Sequence, residues 1–595
     1  MKLTVSKSKN ATNFYVQKTI RREDGKTTTM TVEKLGNLDA VRTRANGGDP
    51  YRWAQAYVDE LNRKQYEEQS AIIVSYSPKK LIKPSEQHAF NCGYLFLQRL
   101  YYQLGLDKIC LKIAGRHDFS FNLNDILSKL VYSRLLYPAS KRATTELAER
   151  FLERPSFALH DVYRALSVLA QESDFIQAAL YHNSRALFER RTQVLYYDCT
   201  NYYFESEADD FRQYGHSKQH QPLPLVGMGL FVDGDGIPLA FSLFPGNQNE
   251  QPSLKPLEQR IIRDFGCENI IVCTDAGLSS EANRRFNDLS IGGSQVRCFI
   301  TTQPIKKLPK DMQAFALDPN GWHLANDDRL YSLSDLVPER DYNKVFYKET
   351  YMVSEVSKAQ AANHEQPLSQ RLIVSFSLKY QLYQANIRAD QIERAQKIID
   401  QGGKKRKAKT ENDPMRFVGA AHSTKDGEVC SEETLFLDTE AIAKEAMYDG
   451  FYAVCTNLRD KTEDIIAVNK RRWKIEESFR VMKTEFKARP VYLQREDRIH
   501  AHFLTCFLTL TIYRYLEKQL GEKYTCDNIL QTLRNMQMTR PGKKQGYMPS
   551  YTRTELTDKL HETSGFRTDY EITTDTNMKK IISQSKGKKA KSRYV

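Results

Sequence analysis

At 595 residues the chain is several times the size of a typical single domain, so three or four structural units are expected. With 40% hydrophobic and 27% charged residues it has the composition of a globular protein with real cores, which excludes a fibrous or wholly disordered chain. A formal net charge of +14 points to a polyanionic partner; charge alone leaves open a nucleic acid or an ordinary basic protein.

The N-terminus, MKLTVSKSKNATN, has no apolar core, so no signal peptide is expected. Residues 1–85 form a first region, in which 13–36 hold two alternating runs flanking Asp24-Gly25, a strong hairpin signal. A hairpin that small is marginal alone, so it is expected to dock on protein or DNA. From 86 to 190 apolar residues recur three and four apart, as in DILSKLVYSRLLYP. Pro138 and Pro155 break the run, and Asn124 and Asp161 are plausible helix caps. The basic turn Ala139-Ser140-Lys141-Arg142 gives this helical domain a possible DNA contact, although a solvated turn reads equally well.

The period then changes. VLYYDCTNYYFES, PLVGMGLFVDGDGIPLAFSLF and NIIVCTDAGL, within 191–300, are short strands bounded by Gly, Asp and Pro. Leu225 to Phe244 reads as a hairpin, and a helix from about Gln251 to Phe265 leads to the strand before Asp275, so a mixed α/β sheet is expected. Residues 301–455 read as a β-rich insertion containing a helix-like stretch, Gln381 to Gln401, and a Lys-rich loop. Within 456–520 one long amphipathic helix is predicted over 461–487 and an apolar one over 499–518. Residues 521–595 close the chain, with Lys579 to Val595 expected as a disordered basic tail that touches phosphates.

Ten cysteines without a CxxC pair suit buried reduced thiols in a cytosolic protein. The longest apolar stretch, Phe503 to Leu516, is too short to span a bilayer and contains Arg514, so no membrane partner is expected. Neither GxxxxGK[ST] nor HExxH occurs, which leaves no nucleotide-binding loop and no zinc-protease motif.

The carboxylates carry the chemistry. Asp198 follows VLYY and Asp275 follows NIIVCT, each expected at the C-terminal end of a buried strand, where a lone charge is costly unless paired or metal-bound. Two of them on neighbouring strands would converge at the sheet's end, where ligand sites of α/β folds lie. Further on, RRWKIEESFRVMK sets Arg472, Glu476 and Lys483 on one helix face; alone, such i,i+4 pairs are commonly solvated decoration. Glu477 is the exposed neighbour of Glu476.

Taken in order, DCTNYYFE, SLFPGNQNEQPSL, CTDAGLSS and RRWKIEESFRVMKTEF resemble the DDE transposases of bacterial and archaeal insertion sequences, over about residues 130–518. The likeness is to the subgroup with a β-rich insertion before the catalytic glutamate. It implies a ribonuclease H-like catalytic core with Asp198, Asp275 and Glu476 as metal ligands, and Arg472, Arg480 and Lys483 as DNA contacts. Tyr214-Gly215-His216-Ser217-Lys218 resembles the family's Gly–Ser–Lys element, which adds Lys218 to the DNA contacts. The family's tyrosine three residues before the arginine is replaced by Asn469. Three carboxylates suit Mg²⁺ or Mn²⁺, two ions about 4 Å apart, driving phosphodiester hydrolysis and then joining of the 3′ ends to target DNA. The resemblance further implies a homodimer on double-stranded DNA, cytoplasmic and nucleoid-associated, without a nucleotide cofactor. Tyr196, Tyr197, Tyr202 and Tyr203 are expected to divide between the core and a bound strand, and His216 and His220 to be surface or structural residues. Two other readings stay open: a catalytically silent DNA-binding protein on this scaffold, and a ribonuclease H-like nuclease without strand transfer.

Overall fold

The computed structural model describes residues 1–8, 11–21, 27–69, 74, 78–79, 81–218, 221–291, 294–354, 356, 366–402, 404–408, 410, 412–423, 429–541 and 545–587. The Asp24-Gly25 turn, His220, most of the polar segment 358–366 and the end of the basic tail, 588–595, lie outside them. The chain divides into two compact units, one of Met1–His88, Thr539–Met548 and Tyr570–Met578, the other of the remainder.

In the first unit, strands Lys2–Ser8, Ala11–Arg21 and Thr27–Asn37 form an antiparallel sheet in that order. The predicted hairpin strands are therefore paired. Their apolar face does not stand alone: Phe14, Val16 and Leu35 bury against Val41, Ala54 and Val58, the last two from the helix Pro50–Gln69. This answers what the hairpin docks on, since three strands backed by a helix bury enough apolar surface to hold together.

The second unit is mixed α/β, built on an 11-stranded sheet. From one edge the strands run Asp327–Tyr331, Trp322–Leu324, Phe346–Ser354, Leu368–Phe376 and Phe451–Thr456. They continue through Ser294–Thr302, Ile270–Thr274, Val194–Tyr203, Leu225–Asp233 and Pro238–Pro245, with Leu289–Ile291 beside Ser294–Thr302. The two pairings of Ile270–Thr274 are parallel and the others antiparallel. Residues 301–455 read from the sequence as an insertion; in the structure the strands from Trp322 to Phe376 extend the sheet of the first part through Phe451–Thr456. Local patterning reveals strands but not which distant strand they join, so this continuity had no signature in the sequence.

The predicted hairpin is present as Leu225–Asp233 against Pro238–Pro245. Leu225–Asp233 is buried along its whole length, and the ring of Tyr197 and the ring of Phe244 lie where side chains at Gly229 and Gly227 would stand. A Cβ at Gly229 would collide with the Tyr197 hydroxyl, which is bonded to Ser253 Oγ at 2.6 Å. Gly229→Ala is therefore expected to destabilise the protein by about 1–3 kcal/mol through overpacking, read as a lower denaturation midpoint in urea. A midpoint equal to wild type would show that the ring moves freely.

The helix Glu496–Gln519 is buried on all sides from Ala501 to Leu516 because it packs on helices Tyr94–Gln103, Leu123–Leu136 and Leu159–Gln171. No helix among the described residues is long and apolar enough to cross a membrane. The nine cysteines whose side chains are described are buried, and none of them is in a disulfide. Two caps differ from expectation: Asn122, not Asn124, caps Leu123–Leu136, while Asn124 accepts from the Tyr101 hydroxyl. Asp161 lies in the first turn of Leu159–Gln171 and accepts from Ala158 N. The basic tail also needs correction: Lys579–Ser585 continue the helix Asp575–Ser585, Ile581 is buried, and Lys586 pairs with Glu153, so this part is docked structure. The apolar residues Ile581 and Ile582, outweighed in composition by the lysines around them, account for the docking.

Candidate active site

Asp198 stands in the middle of Val194–Tyr203, opposite Leu230, and not at the strand's end as expected. The neighbouring strand keeps pairing as far as Tyr203↔Leu225, so the backbone has no reason to turn at the aspartate. The Asp275 strand does end where predicted, at Thr274. There the Asp275 carboxylate caps a short 3₁₀ turn by accepting from Leu278 N at 3.1 Å. Parallel pairing of Tyr197 with Thr274 makes the two aspartates the next residues of adjacent strands.

Their proximity has an electrostatic signature. Desolvation, and then the charge of Asp275, push the Asp198 carboxyl up to about 7, against the opposing pull of Lys218, the Cys199 N–H and Arg472. Because the folded value lies above the ordinary 3.8, the stabilisation linked to this proton is present at low pH and is lost as pH rises through about 7. Asp198→Asn is therefore expected to raise the melting temperature of metal-free protein, more at pH 8 than at pH 5. Equal melting temperatures at pH 8 would contradict the assignment of that strain.

The predicted long helix is two helices, Thr462–Lys470 and Trp473–Thr484, with Arg472 at the junction as the N-cap residue of the second. Ile475, Phe479, Val481 and Met482 bury the second helix, and the Tyr196 hydroxyl donates to the Val468 carbonyl at 2.9 Å, tying the first to the Asp198 strand. Arg472 meets Glu476 at 3.2 Å. Burial opposes the Arg472 charge, yet Tyr452, Glu476, Asp198 and Asp275 together hold its pKa above the ordinary arginine value. This one guanidinium lies in the field of all three acidic residues. Among the described residues, however, the three carboxylates do not form a cluster with ligand oxygens all within 4.8 Å; Asp558, His561 and Asp569 do. That second cluster is already neutralised, as Arg567 binds Asp558 at 2.7 Å and Asp569 at 2.5 Å, and Arg553 binds Asp558 at 2.8 Å.

Basic residues gather on the same side. The Lys218 ammonium donates to the Cys199 carbonyl at 2.7 Å and pairs with Glu250 at 2.9 Å. Lys483 donates to Thr200 Oγ1, two residues along the strand from Asp198, and its pKa falls to about 8 through burial, Arg489 and Lys218, partly offset by Asp198 and Glu250. Glu250 was missed in the sequence; it lies in SLFPGNQNEQPSL, but nothing local marks it as Lys218's partner 32 residues away. Arg480 pairs instead with Glu477 at 3.6 Å and lines a separate cavity with Asp235, Lys474 and Lys518. Glu477 is the better-anchored neighbour: its side chain is 25% exposed and holds buried Arg514 at 3.0 Å, whereas that of Glu476 is 55% exposed.

Asn469 occupies the position where the family motif carries tyrosine. It is buried and donates to the Tyr452 hydroxyl at 3.0 Å, which also meets Thr302 Oγ1 at 2.6 Å. A tyrosine thus stands next to Arg472 after all, delivered by the sheet. Arg472, Glu476, Tyr452 and Asn469 line a cleft of about 780 Å³ walled by Tyr380, Tyr383 and Trp473. Tyr196, Tyr197 and Tyr202 are core residues, while Tyr203 lies under Arg489. The His216 carbonyl accepts from Asn201, a structural contact.

Residues 339–512 match the family model described as the transposase DDE domain. Over that stretch the chain is similar to the DDE transposases of insertion elements. The matched stretch includes Arg472, Glu476, Arg480 and Lys483 and begins after both aspartates. No curated protein matches the chain. DNA is the partner a transposase implies, and DDE transposases generally use divalent metal ions. The match therefore reaches the helix carrying Glu476 and does not reach the strands that carry Asp198 and lead to Asp275.

Proposed function

We propose that this chain is a transposase that binds the ends of its own element, hydrolyses phosphodiester bonds there and joins the freed 3′ ends to target DNA. The reading rests on one observation: Asp198 and Asp275 on adjacent parallel strands, with Arg472 in the field of both and of Glu476. The central strands, with Val194–Tyr203 and Ile270–Thr274 parallel and a hairpin at the edge, are consistent with a ribonuclease H-like core. The donor set fits hard divalent ions: Asp198, held near neutrality by desolvation and a like-charged neighbour, is a carboxylate that a bound cation would relieve. Asp198, Asp275 and Glu476 would hold Mg²⁺ or Mn²⁺, which when bound supplies Lewis-acid stabilisation of charge building at the phosphoryl oxygens.

The chain's own residues do the rest. Arg472 occupies Glu476 at 3.2 Å and is the group to exchange that partner for a DNA phosphate, freeing the glutamate to turn towards the aspartates. Lys483 and Lys218 lie beside the Asp198 strand, where each can neutralise a strand phosphate. Tyr452, held by Asn469, lies close enough to Arg472 to favour its charge. A homodimer with one active site per element end follows from the need to process two ends together.

The test is Mg²⁺-dependent nicking of a duplex carrying the element's end, followed by transfer of a pre-cleaved 3′ end into plasmid. Both reactions are expected from the full chain. Nicking without transfer would reduce the protein to a nuclease, and binding without either would make it a silent DNA-binding protein.

A further inference from the structure

Away from the carboxylates lies a cavity of about 300 Å³ between the turn at 138–142 and the segment 487–493. Arg134, Lys141, Arg142, Lys487, Arg489 and His502 line it, and no Asp or Glu does. Its centre is Lys141, only 5% exposed, whose ammonium has no hydrogen bond or ion pair among the described residues. Arg134 beside it is equally buried; its two terminal nitrogens donate to the carbonyls of Phe486 (3.2 Å), Lys487 (3.4 Å) and Ala139 (3.2 Å), and its Nε has no partner. Burial and Arg134 press the Lys141 pKa down to about 7, and burial with both cations keeps His502 well below its ordinary value.

A buried cation without a counter-charge is among the costliest arrangements a fold can keep, and here two share one hollow. An apolar side chain at 141 would fill the same space without that penalty, so packing does not explain the lysine. An anion does. The hollow also lies on a basic track: Arg489, which lines it, is close enough to Lys483 to depress that lysine's pKa, and Lys483 touches Thr200 on the Asp198 strand. At the outer side Arg142 is 79% exposed and pairs with Glu146 only at 3.6 Å.

We propose that this cavity is a phosphate site that seats one backbone phosphate of the bound DNA, held by Lys141 and Arg134, on the flank of the duplex beyond the cleavage site. The assignment rests on the proposed function insofar as the ligand is DNA. It is tested in the full chain carrying Asp198→Asn, so that binding is measured without cleavage, by comparing Lys141 with Lys141→Met and Lys141→Arg on element-end and unrelated duplexes across a salt series. Lys141→Met is expected to weaken both duplexes about tenfold at low salt and to reduce the slope of log K against log salt by about one, with Lys141→Arg restoring most of both. A folded Lys141→Met protein with unchanged affinity and slope overturns the site. So does an unchanged DNA slope combined with Lys141-dependent thermal stabilisation by inorganic phosphate, which would assign the hollow to a free anion. Should Lys141→Met fail to fold, Lys141→Gln in the same series gives the same two readings. Absence of DNA binding by the parent chain would sink the proposed function itself, whereas parent binding with a Lys141-independent slope sinks only this site.

Discussion

Asp198→Asn is expected to lower Mg²⁺-dependent cleavage by on the order of 10³-fold while leaving DNA affinity within a few-fold of wild type. The magnitude follows from the chemistry: a coordinated cation contributes several kcal/mol to stabilising charge in the transition state, and each 1.36 kcal/mol is about tenfold in rate. Asn keeps the shape and one acceptor oxygen of Asp, and Cys199 N, which donates to Asp198 at 2.7 Å, retains that acceptor. The loss would then report charge and not collapse of the strand. The informative control lies on the Glu476 helix. Glu476→Gln should behave like Asp198→Asn, whereas Glu477→Gln should leave cleavage within a few-fold and lower stability by about 1–3 kcal/mol, because it weakens the hold on buried Arg514. Steady-state nicking assays with matched filter-binding measurements check all three. Wild-type cleavage by Asp198→Asn would remove the aspartate from the site, and loss of cleavage by Glu477→Gln with Glu476→Gln active would move the role to the neighbour.

The largest expected loss of stability comes from Asp233→Ala. Asp233 ends the buried strand Leu225–Asp233 and is fully buried. Its carboxylate accepts from Arg190 Nε at 2.5 Å, Asp235 N at 3.0 Å and Ile237 N at 2.9 Å. One group therefore neutralises a buried guanidinium and closes the turn that returns the chain at Gly236, where φ is +82°. Truncation leaves Arg190, its side chain 2% exposed, without its carboxylate partner, though still donating to Ser184 and to the carbonyls of Ile237 and Pro238. Breaking a buried pair in this way costs about 3–5 kcal/mol. The double variant Arg190→Met with Asp233→Ala is expected to be more stable than Asp233→Ala alone, since it removes the stranded charge. Urea denaturation of the three proteins measures it; a loss below about 1 kcal/mol for Asp233→Ala would mean that water reaches Arg190.

Local chemistry made some of this legible. Asp275 could be placed at a strand end because NIIVCT is a short apolar run followed by a turn-forming Asp-Ala-Gly. The hairpin at Asp233-Gly234-Asp235-Gly236 and the face shared by Arg472, Glu476 and Lys483 were likewise written in neighbouring residues. Asp198 looked like Asp275 and is not, because what keeps its strand going is a partner strand 27 or more residues away in sequence. The break at Arg471–Arg472 was hidden by good helix formers on both sides, and Glu250 and Tyr452 became visible only once distant strands met. Glu476 and Glu477 could be ranked by motif but not by exposure, since Arg514, which fixes Glu477, comes from another helix.

The chain departs from the strand Ser294–Thr302 and, after adding the strands from Trp322 to Phe376 to the same sheet, returns at Phe451 as the antiparallel neighbour of that first strand, with Gln303 N donating to the Ala453 carbonyl at 2.8 Å. An excursion of nearly 150 residues thus departs and lands at one point of the scaffold. Closure entropy grows only logarithmically with the length between such fixed points. Growth, shrinkage or replacement of the segments between those added strands can therefore accumulate while the aspartates and the glutamate helix keep their spacing, so these segments are where variants of differing DNA preference would arise with least disturbance to catalysis.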